Sequence, residues 1–346
     1  MKIDIEERVL HFKQPAGTSR GVYTERKIWL LTVTDGDAVG VGECAPLPDL
    51  SCDAGAGYGD VLRRFCDDVE RTGVIDYEVM RDYPSMLFGL ETAMLSLKAS
   101  LHSPLSSLLL FDTAFARGEV GIPINGLVWM GSYEEMLQRM EQKLEQGFRC
   151  VKLKIGAIDF DKELDLVKRI RDRFSRSEVE IRLDANGGFS YDDDVLYKLE
   201  LLSQYAQSIE QPIKAGQWAY MAELCRESPI PIALDEELIG VNDRQMKSHL
   251  LGVVKPAYIV LKPSLHGGMA GCREWIEAAR QHDVGSWITS ALESNVGLNA
   301  IAQFCSDVYG DHITWPQGLG TGQLFTDNIP MPLEIRGDQL WRIVNC

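Results

Sequence analysis

The sequence predicts an α/β protein: a barrel of repeated strand–helix units, preceded by a smaller α+β lobe. Three observations predict it. Five short aliphatic runs each stop at a charged residue: VKLKIG at Lys152 and Lys154, IRLDAN at Asp184, SIEQP at Glu210, IALDEE at Asp235 and YIVLKP at Lys262. Lys154, Asp184, Glu210, Asp235 and Lys262 follow one another at steps of 30, 26, 25 and 27 residues, close to the ~31 residues per unit of an eight-unit barrel of about 250 residues. From Ile122 onward, strand-like runs alternate with helical stretches, which argues for a parallel sheet.

The first lobe is read as β structure followed by helices. Ile3, Ile5, Val9 and Leu10 mark one strand. Residues 27–33 and 38–43 flank the turn Asp35-Gly36-Asp37, a hairpin signature. Gln14 to Gly21 reads as a polar, Gly-rich loop between strands, and 45–51 as a second loop. Residues 56–110 are helical in pattern. Pro84-Ser85 opens the strongest helix, with Leu87, Leu90, Met94 and Leu97 along one side. Strand candidates then fall at 122–128, 150–155, 180–185, 207–210, 231–235, 257–262, 285–290 and 312–316, with helices such as 133–146, 161–174 and 266–282 between them. The expected division is a capping lobe over 1–118, a barrel over 119–317, and a segment over 318–346 that packs back on the capping lobe.

Composition bounds the function. The chain has 346 residues, 45% hydrophobic and 25% charged, with formal net charge −16. That length exceeds what one core usually serves. The acidity disfavours nucleic acid and anionic membranes as partners, so an anionic substrate has to be held by local cations. None of the eight cysteines forms a C-x-x-C pair, and reduced thiols in a cytoplasmic protein are expected. MKIDIEERVLHF reads as a strand rather than a signal peptide, and no apolar run approaches membrane-spanning length.

Side chains alternate faces along a strand. Val151, Leu153 and Ile155 therefore face the helices, and Lys152 and Lys154 point together into the barrel. Arg182, Asp184 and Asn186 share one face of the next strand; Tyr258, Val260 and Lys262 share one face of another. An inward lysine is tolerated only at the open C-terminal mouth. Asp184, Glu210 and Asp235, from three successive strand ends, would repel one another without a counter-ion. An all-oxygen set suits a hard cation, Mg²⁺ or Mn²⁺. The bland alternative is three surface acids at helix starts, which the matching spacing and parity disfavour. A lysine is a poor base near its ordinary pKa of ~10.4; a second lysine two residues away and a metal nearby would both lower it.

The chain resembles the enolase superfamily, in its muconate lactonizing enzyme-like subgroup. The resemblance rests on Lys152-Leu153-Lys154, Arg182-Leu183-Asp184-Ala185-Asn186, Glu210-Gln211-Pro212, Leu234-Asp235-Glu236, Lys262-Pro263 and the run from Ser290 to Leu298. It also includes Pro84-Ser85 through Glu91, Ile124-Asn125-Gly126-Leu127 and Gly318 to Thr321. It implies a modified (β/α)7β TIM-type barrel under an N-terminal capping domain. It implies dehydration of a small-molecule carboxylate, 2-succinyl-6-hydroxy-2,4-cyclohexadiene-1-carboxylate, to o-succinylbenzoate through an Mg²⁺-stabilised enediolate; enolase-superfamily sites are a worked example of a lysine or histidine base beside Mg²⁺. By the same resemblance Lys154 is the base, Lys262 stabilises the anion from the opposite face, and Lys152 tunes Lys154. Asp184, Glu210 and Asp235 hold the metal. Asn186 and Glu236 orient these groups, and Arg182, Ser290, Glu293 and Ser294 support ligands or substrate. Arg20 is the candidate for the succinyl carboxylate, and Ser51 and Leu47 are weaker ones. Glu91 and His266 are expected to be structural, and Gln211 not to be a ligand.

Two departures narrow the choice. The D-x-D pair by which dipeptide epimerases hold a substrate ammonium is absent from Thr289-Ser290-Ala291-Leu292-Glu293, and there is no His–Asp base dyad at a strand end. An N-acylamino acid racemase or dipeptide epimerase of the same subgroup is the alternative enzyme. A non-catalytic barrel that binds a small acid is the alternative of another class, and two lysines at strand ends argue against it. The sequence leaves a homo-oligomer open.

Overall fold

The computed structural model describes residues 1–18, 21–102, 108–192 and 194–344. It opens with an antiparallel meander of β1 (Lys2–Thr18), β2 (Gly21–Asp35) and β3 (Ala38–Cys44). Three helices follow: α1 (Tyr58–Thr72), α2 (Tyr77–Met80) and α3 (Pro84–His102). The sheet packs on α1 and α3 through Ile3, Leu31 and Val33 against Leu62, Val69, Leu87 and Leu90. Close approach of α3 to β3 explains two glycines. A Cβ on Gly40 would lie 2.3 Å from the Ala93 carbonyl oxygen, and one on Gly42 would lie 2.1 Å from the Gly89 carbonyl oxygen.

The expected loop over Gln14–Gly21 is corrected. β1 continues to Thr18, with Ala16 opposite Tyr23 and Thr18 opposite Gly21, after a register shift between His11 and Ala16. Pro15, which has no N–H to give a ladder, falls inside that irregular stretch. There β1 turns to the chain's last segment instead: Lys13 N–H donates to Leu324 O at 2.8 Å, and Thr326 N–H to His11 O at 2.9 Å.

The second body is a curled parallel sheet in sequence order. Its strands are β5 (Gly126–Val128), β6 (Cys150–Lys154), β7 (Glu180–Asp184), β8 (Ser208–Glu210), β9 (Ile232–Leu234), β10 (Tyr258–Leu261) and β11 (Gly285–Ile288). Helices α4 (Tyr133–Glu145), α5 (Phe160–Arg173), α6 (Val195–Ser203), α7 (Trp218–Glu227), α8 (Arg244–Val254), α9 (Gly268–Gln281) and α10 (Asn295–Tyr309) follow the strands in turn. Val151, Leu153, Ile181, Leu183, Ile259 and Leu261 pack into the sheet–helix core. The inner face has its own layer of Ala233, Val260 and Trp287 with Tyr258 and Trp315.

Two strand predictions shift at the closure. The run 122–128 divides: β4 (Ile122–Pro123) leaves the barrel and joins β12 (Leu333–Arg336) and β13 (Gln339–Arg342) in a small antiparallel sheet. The last strand, expected at 312–316, is not one. Gln317 bridges Ile124 and Gly318 bridges Thr289, both parallel, so residues 317–318 take the eighth position. Pro316 cannot donate to a ladder. The Gln317 side chain supplements the seam, its Oε1 accepting from Ile288 N–H at 2.8 Å. No helix among the described residues is long and apolar enough to cross a membrane, and Cys44, Cys52, Cys66, Cys150, Cys225, Cys272 and Cys305 are free thiols.

Candidate active site

Register places the charged strand ends side by side. Lys154 pairs with Asp184 across β6–β7, and Asp184 with Glu210 across β7–β8. Asp235 follows β9 and Lys262 follows β10. Lys152 and Lys154 are each 8% exposed, and Asp184, Glu210 and Asp235 no more than 2%. Lys152 Nζ lies 2.6 Å from Glu210 Oε2 and 2.9 Å from Asp184 Oδ2. Lys154 Nζ donates to the same Asp184 oxygen at 2.9 Å and to Asn186 Oδ1 at 2.6 Å. Lys262 Nζ donates to Asp235 Oδ2 on the other side.

These contacts set the electrostatics. Burial works against the charge on Lys152, but Asp184, Glu210 and Asp235 outweigh it and hold its pKa above the ordinary lysine value. Burial likewise opposes Lys262, and Asp235, Glu210 and Glu236 raise it. Burial alone would push Asp184 up, but Lys152 and Lys154 hold it below the usual carboxylate range. Burial and neighbouring Asp184 push Glu210 up. Lys262 overcomes burial at Asp235 and holds it low.

Among the described residues, no three His, Cys, Asp or Glu side chains are gathered as a ready ligand set; ammonium groups stand against all three carboxylates. The donor chemistry nevertheless fits a hard cation. Among the described residues, Glu210 Oε1 and Asp235 Oδ1 are buried without a hydrogen-bond partner, and a buried carboxylate oxygen so placed ordinarily has one. Gln211, in left-handed backbone at φ 41°, accepts the N–H groups of Asp235 and Glu237 on its Oε1, both at 3.2 Å, and so fixes the turn that presents Asp235.

A cavity opens over this floor. Lys152, Lys154, Asp184, Asn186, Glu236 and Lys262 line its base; Leu47, Leu50, Leu127, Trp129 and Leu292 form apolar walls, and Ser290 and Thr321 add hydroxyls. Asn186 ties two of these base residues together, its Oδ1 accepting from Lys154 and its Nδ2 donating to Glu236 Oε1 at 2.9 Å. Ser290 and Thr321 hydroxyls lie 2.6 Å apart.

The remaining predicted residues are placed differently. Arg182 is deeper in the barrel, between the rings of Trp287 (4.7 Å) and Trp315 (4.6 Å), bonded to Glu180 and the Pro316 carbonyl. Glu293 is fully buried and accepts from Ala291 N–H at 2.6 Å and from the Ser264 hydroxyl. Ser294 caps α10 and bonds Glu43. Ser51 accepts Leu47 N–H at 2.8 Å, shaping the loop that carries Leu47 and Leu50. Glu91 accepts the Met269 and Ala270 N–H groups at the start of α9, at 2.5 and 2.9 Å. His266 accepts the Lys262 N–H on Nδ1 at 2.9 Å, and burial lowers its pKa to about 3. Arg20 lies outside the described residues. Sequence reasoning missed Trp129, whose ring centroid is 5.8 Å from Lys154 Nζ; its position just past the end of β5 was the available signal.

A family model described as "Enolase C-terminal domain-like" matches residues 135–336, and the chain belongs to that enolase-superfamily family. The o-succinylbenzoate synthase of Desulfotalea psychrophila (strain LSv54 / DSM 12343) is 43% identical, with 98% of each chain covered. The crystal structure of MenC from Desulfotalea psychrophila LSv54 superposes with a TM-score of 0.81 at 39% identity, covering 99% of both chains. A hydrophobic dipeptide epimerase from Flavobacteria bacterium (strain MS024-2A) is more distant, at 26% identity over 90% of this chain and 88% of its own.

Proposed function

We propose that this chain is an o-succinylbenzoate synthase, a lyase of menaquinone biosynthesis working in the cytoplasm. It removes water from 2-succinyl-6-hydroxy-2,4-cyclohexadiene-1-carboxylate. The observation that carries the reading is the 43% identity to an o-succinylbenzoate synthase, spread over 98% of both chains. The site supports it: lysines at two strand ends pair with three carboxylates, under apolar and aromatic cavity walls that suit a six-membered ring. We also assign residues 1–118 to a capping domain, 119–317 to the barrel and 318–346 to a segment returning to the cap.

In this reading Asp184, Glu210 and Asp235 hold a divalent cation, Mg²⁺, with Mn²⁺ the other ion their oxygens suit. When bound, the cation neutralises the substrate carboxylate and the charge that develops on it. The Lys154 side-chain nitrogen takes the proton from the carbon bearing the ring carboxylate. The C–H electrons form the new ring double bond as the C–O bond at C6 breaks, and Lys154 returns its proton to the departing hydroxide as water. Asn186, bonded to both Lys154 and Glu236, aims the amine. Lys262 places positive charge on the opposite face, and Lys152 holds Asp184 and Glu210 in register. Leu47, Leu50, Trp129 and Leu292 exclude water around the ring. Elimination ends in an aromatic ring, which supplies the driving force.

The test is absorbance of the aromatic product on mixing purified protein, Mg²⁺ and the cyclohexadiene acid. Rapid formation, abolished by EDTA and restored by Mg²⁺, is expected. Absence of product, with α-proton exchange of N-acylamino acids or dipeptides in D₂O, would transfer the assignment to a racemase or epimerase.

A further inference from the structure

Arg26, on β2 of the first lobe, is only 2% exposed and does not line the cavity. Among the described residues, its guanidinium donates to backbone carbonyls alone. Nε donates to Leu292 O at 3.2 Å and Nη2 to Ala291 O at 3.3 Å; Nη1 donates to Pro46 O and Nη2 also to Ala45 O. The four acceptors belong to two loops on different bodies. One leaves β3 and carries Leu47 and Leu50 into the cavity wall; the other leaves β11 and carries Ser290, Ala291 and Leu292 into the facing wall. Leu292 holds φ 64°, a conformation unfavourable for a non-glycine residue that persists only where its surroundings dictate it.

We infer that Arg26 is a positioning residue for the dehydration: its planar fork sets the spacing of the two cavity walls and, through Glu293, the segment that bears Lys262. Glu293 takes Ala291 N–H and the Ser264 hydroxyl, and Ser264 lies two residues beyond Lys262. Arg26, the 291–292 turn, Glu293 and Ser264 thus form one hydrogen-bonded chain from the cap to the cavity floor. Joining the two bodies does not require this charge. Glu91 caps α9 from the first lobe, and Glu43 receives the Ser294 and Gly297 N–H groups at the start of α10, both at 2.8 Å. Burying a further cation is costly and is repaid only by well-aligned partners. A lysine there has three donors on a flexible stem and cannot span four carbonyls in a plane.

This inference rests on the dehydratase reading, and the experiment separates the two. Arg26→Lys and Arg26→Met are compared with wild type for kcat, KM and the affinity for o-succinylbenzoate read by tryptophan fluorescence, since Trp129 and Trp287 line the cavity. In folded Arg26→Lys, KM and the product dissociation constant should both rise about tenfold, the scale of one or two lost hydrogen bonds, with kcat changed less. Arg26→Met should be worse in the same sense. A merely structural arginine would lower thermal stability and leave KM and product affinity within about twofold of wild type, and that result in folded Arg26→Lys overturns the inference. If wild type makes no aromatic product, the dehydratase reading fails by itself. The same KM comparison on the acylamino acid that it does exchange then decides the role of Arg26.

Discussion

Replacing Lys154 with alanine tests the base assignment, and the structure separates its effect on chemistry from its effect on folding. Lys154 shares Asp184 Oδ2 with Lys152, which also stands 2.9 Å away. The variant therefore keeps one ammonium on that carboxylate, and the ~3–5 kcal/mol cost of an uncompensated buried charge is avoided. Asn186 loses the lysine but keeps its bond to Glu236. The fold should survive with its denaturation midpoint nearly unchanged. Catalysis should not: a positioned general base supplies about 10²–10⁴-fold, or roughly 3–5 kcal/mol of barrier. Lys154→Ala should lose at least about 10² in kcat while KM moves little, because Asp184, Glu210 and Asp235 are untouched. Stopped absorbance measures turnover, and circular dichroism checks the fold. A folded Lys154→Ala protein retaining more than about a tenth of wild-type kcat would refute the reasoning, since no positioned base contributes so little.

Other outcomes follow from particular contacts. Burial pushes Glu91 up from 4.5 to about 7, against the lowering pull of the Met269 and Ala270 amides. Between those values the folded chain holds a proton that the unfolded chain has released. Stability should therefore fall by on the order of 3 kcal/mol as pH rises through that window and level off above it; Glu91→Gln should flatten the change, and equal unfolding free energies from urea titrations at pH 5 and 8 would contradict this. Gly42→Ala should destabilise by about 2 kcal/mol or more, because its Cβ meets backbone of α3 at 2.1 Å; an unchanged melting temperature would show that α3 can withdraw. Mg²⁺ should raise the melting temperature by mass action, about 2.7 kcal/mol at a hundred times its Kd, and Asp235→Asn should abolish that rise. An equal Mg²⁺ effect in both proteins would place the cation elsewhere.

What could be read from sequence follows from where a barrel tolerates charge. A polar residue at the end of an aliphatic strand, repeated at barrel spacing, has few places to go but the mouth, so Lys152, Lys154, Asp184, Glu210, Asp235 and Lys262 were legible together. Parity gives the side of a strand and not the height along it. Arg182 shares a face with Asp184, yet lies two residues deeper, between Trp287 and Trp315. Strand ends near proline were misplaced: β1 runs past Pro15 with an irregular register, Phe12 bridging Phe325, and the expected strand before Pro316 gives way to bridges at residues 317–318. Arg26, Glu43 and Glu91 act across lobes, on partners far along the chain, and no local pattern announces such contacts.

The seam at Gln317–Gly318 carries a consequence for biosynthesis. Ile124 is made long before residues 317–318, the ones that complete its ring. At about 5–20 residues per second the open sheet waits on the order of ten seconds or more for its last member. Through that interval the edge of β5 is bare, and that of β11 joins it once made, so pairing with another nascent chain competes with closure. Variants that weaken the Gln317 side-chain contacts to Ile288 and Trp315 should therefore show their defect first as aggregation during expression, before any loss in the finished enzyme.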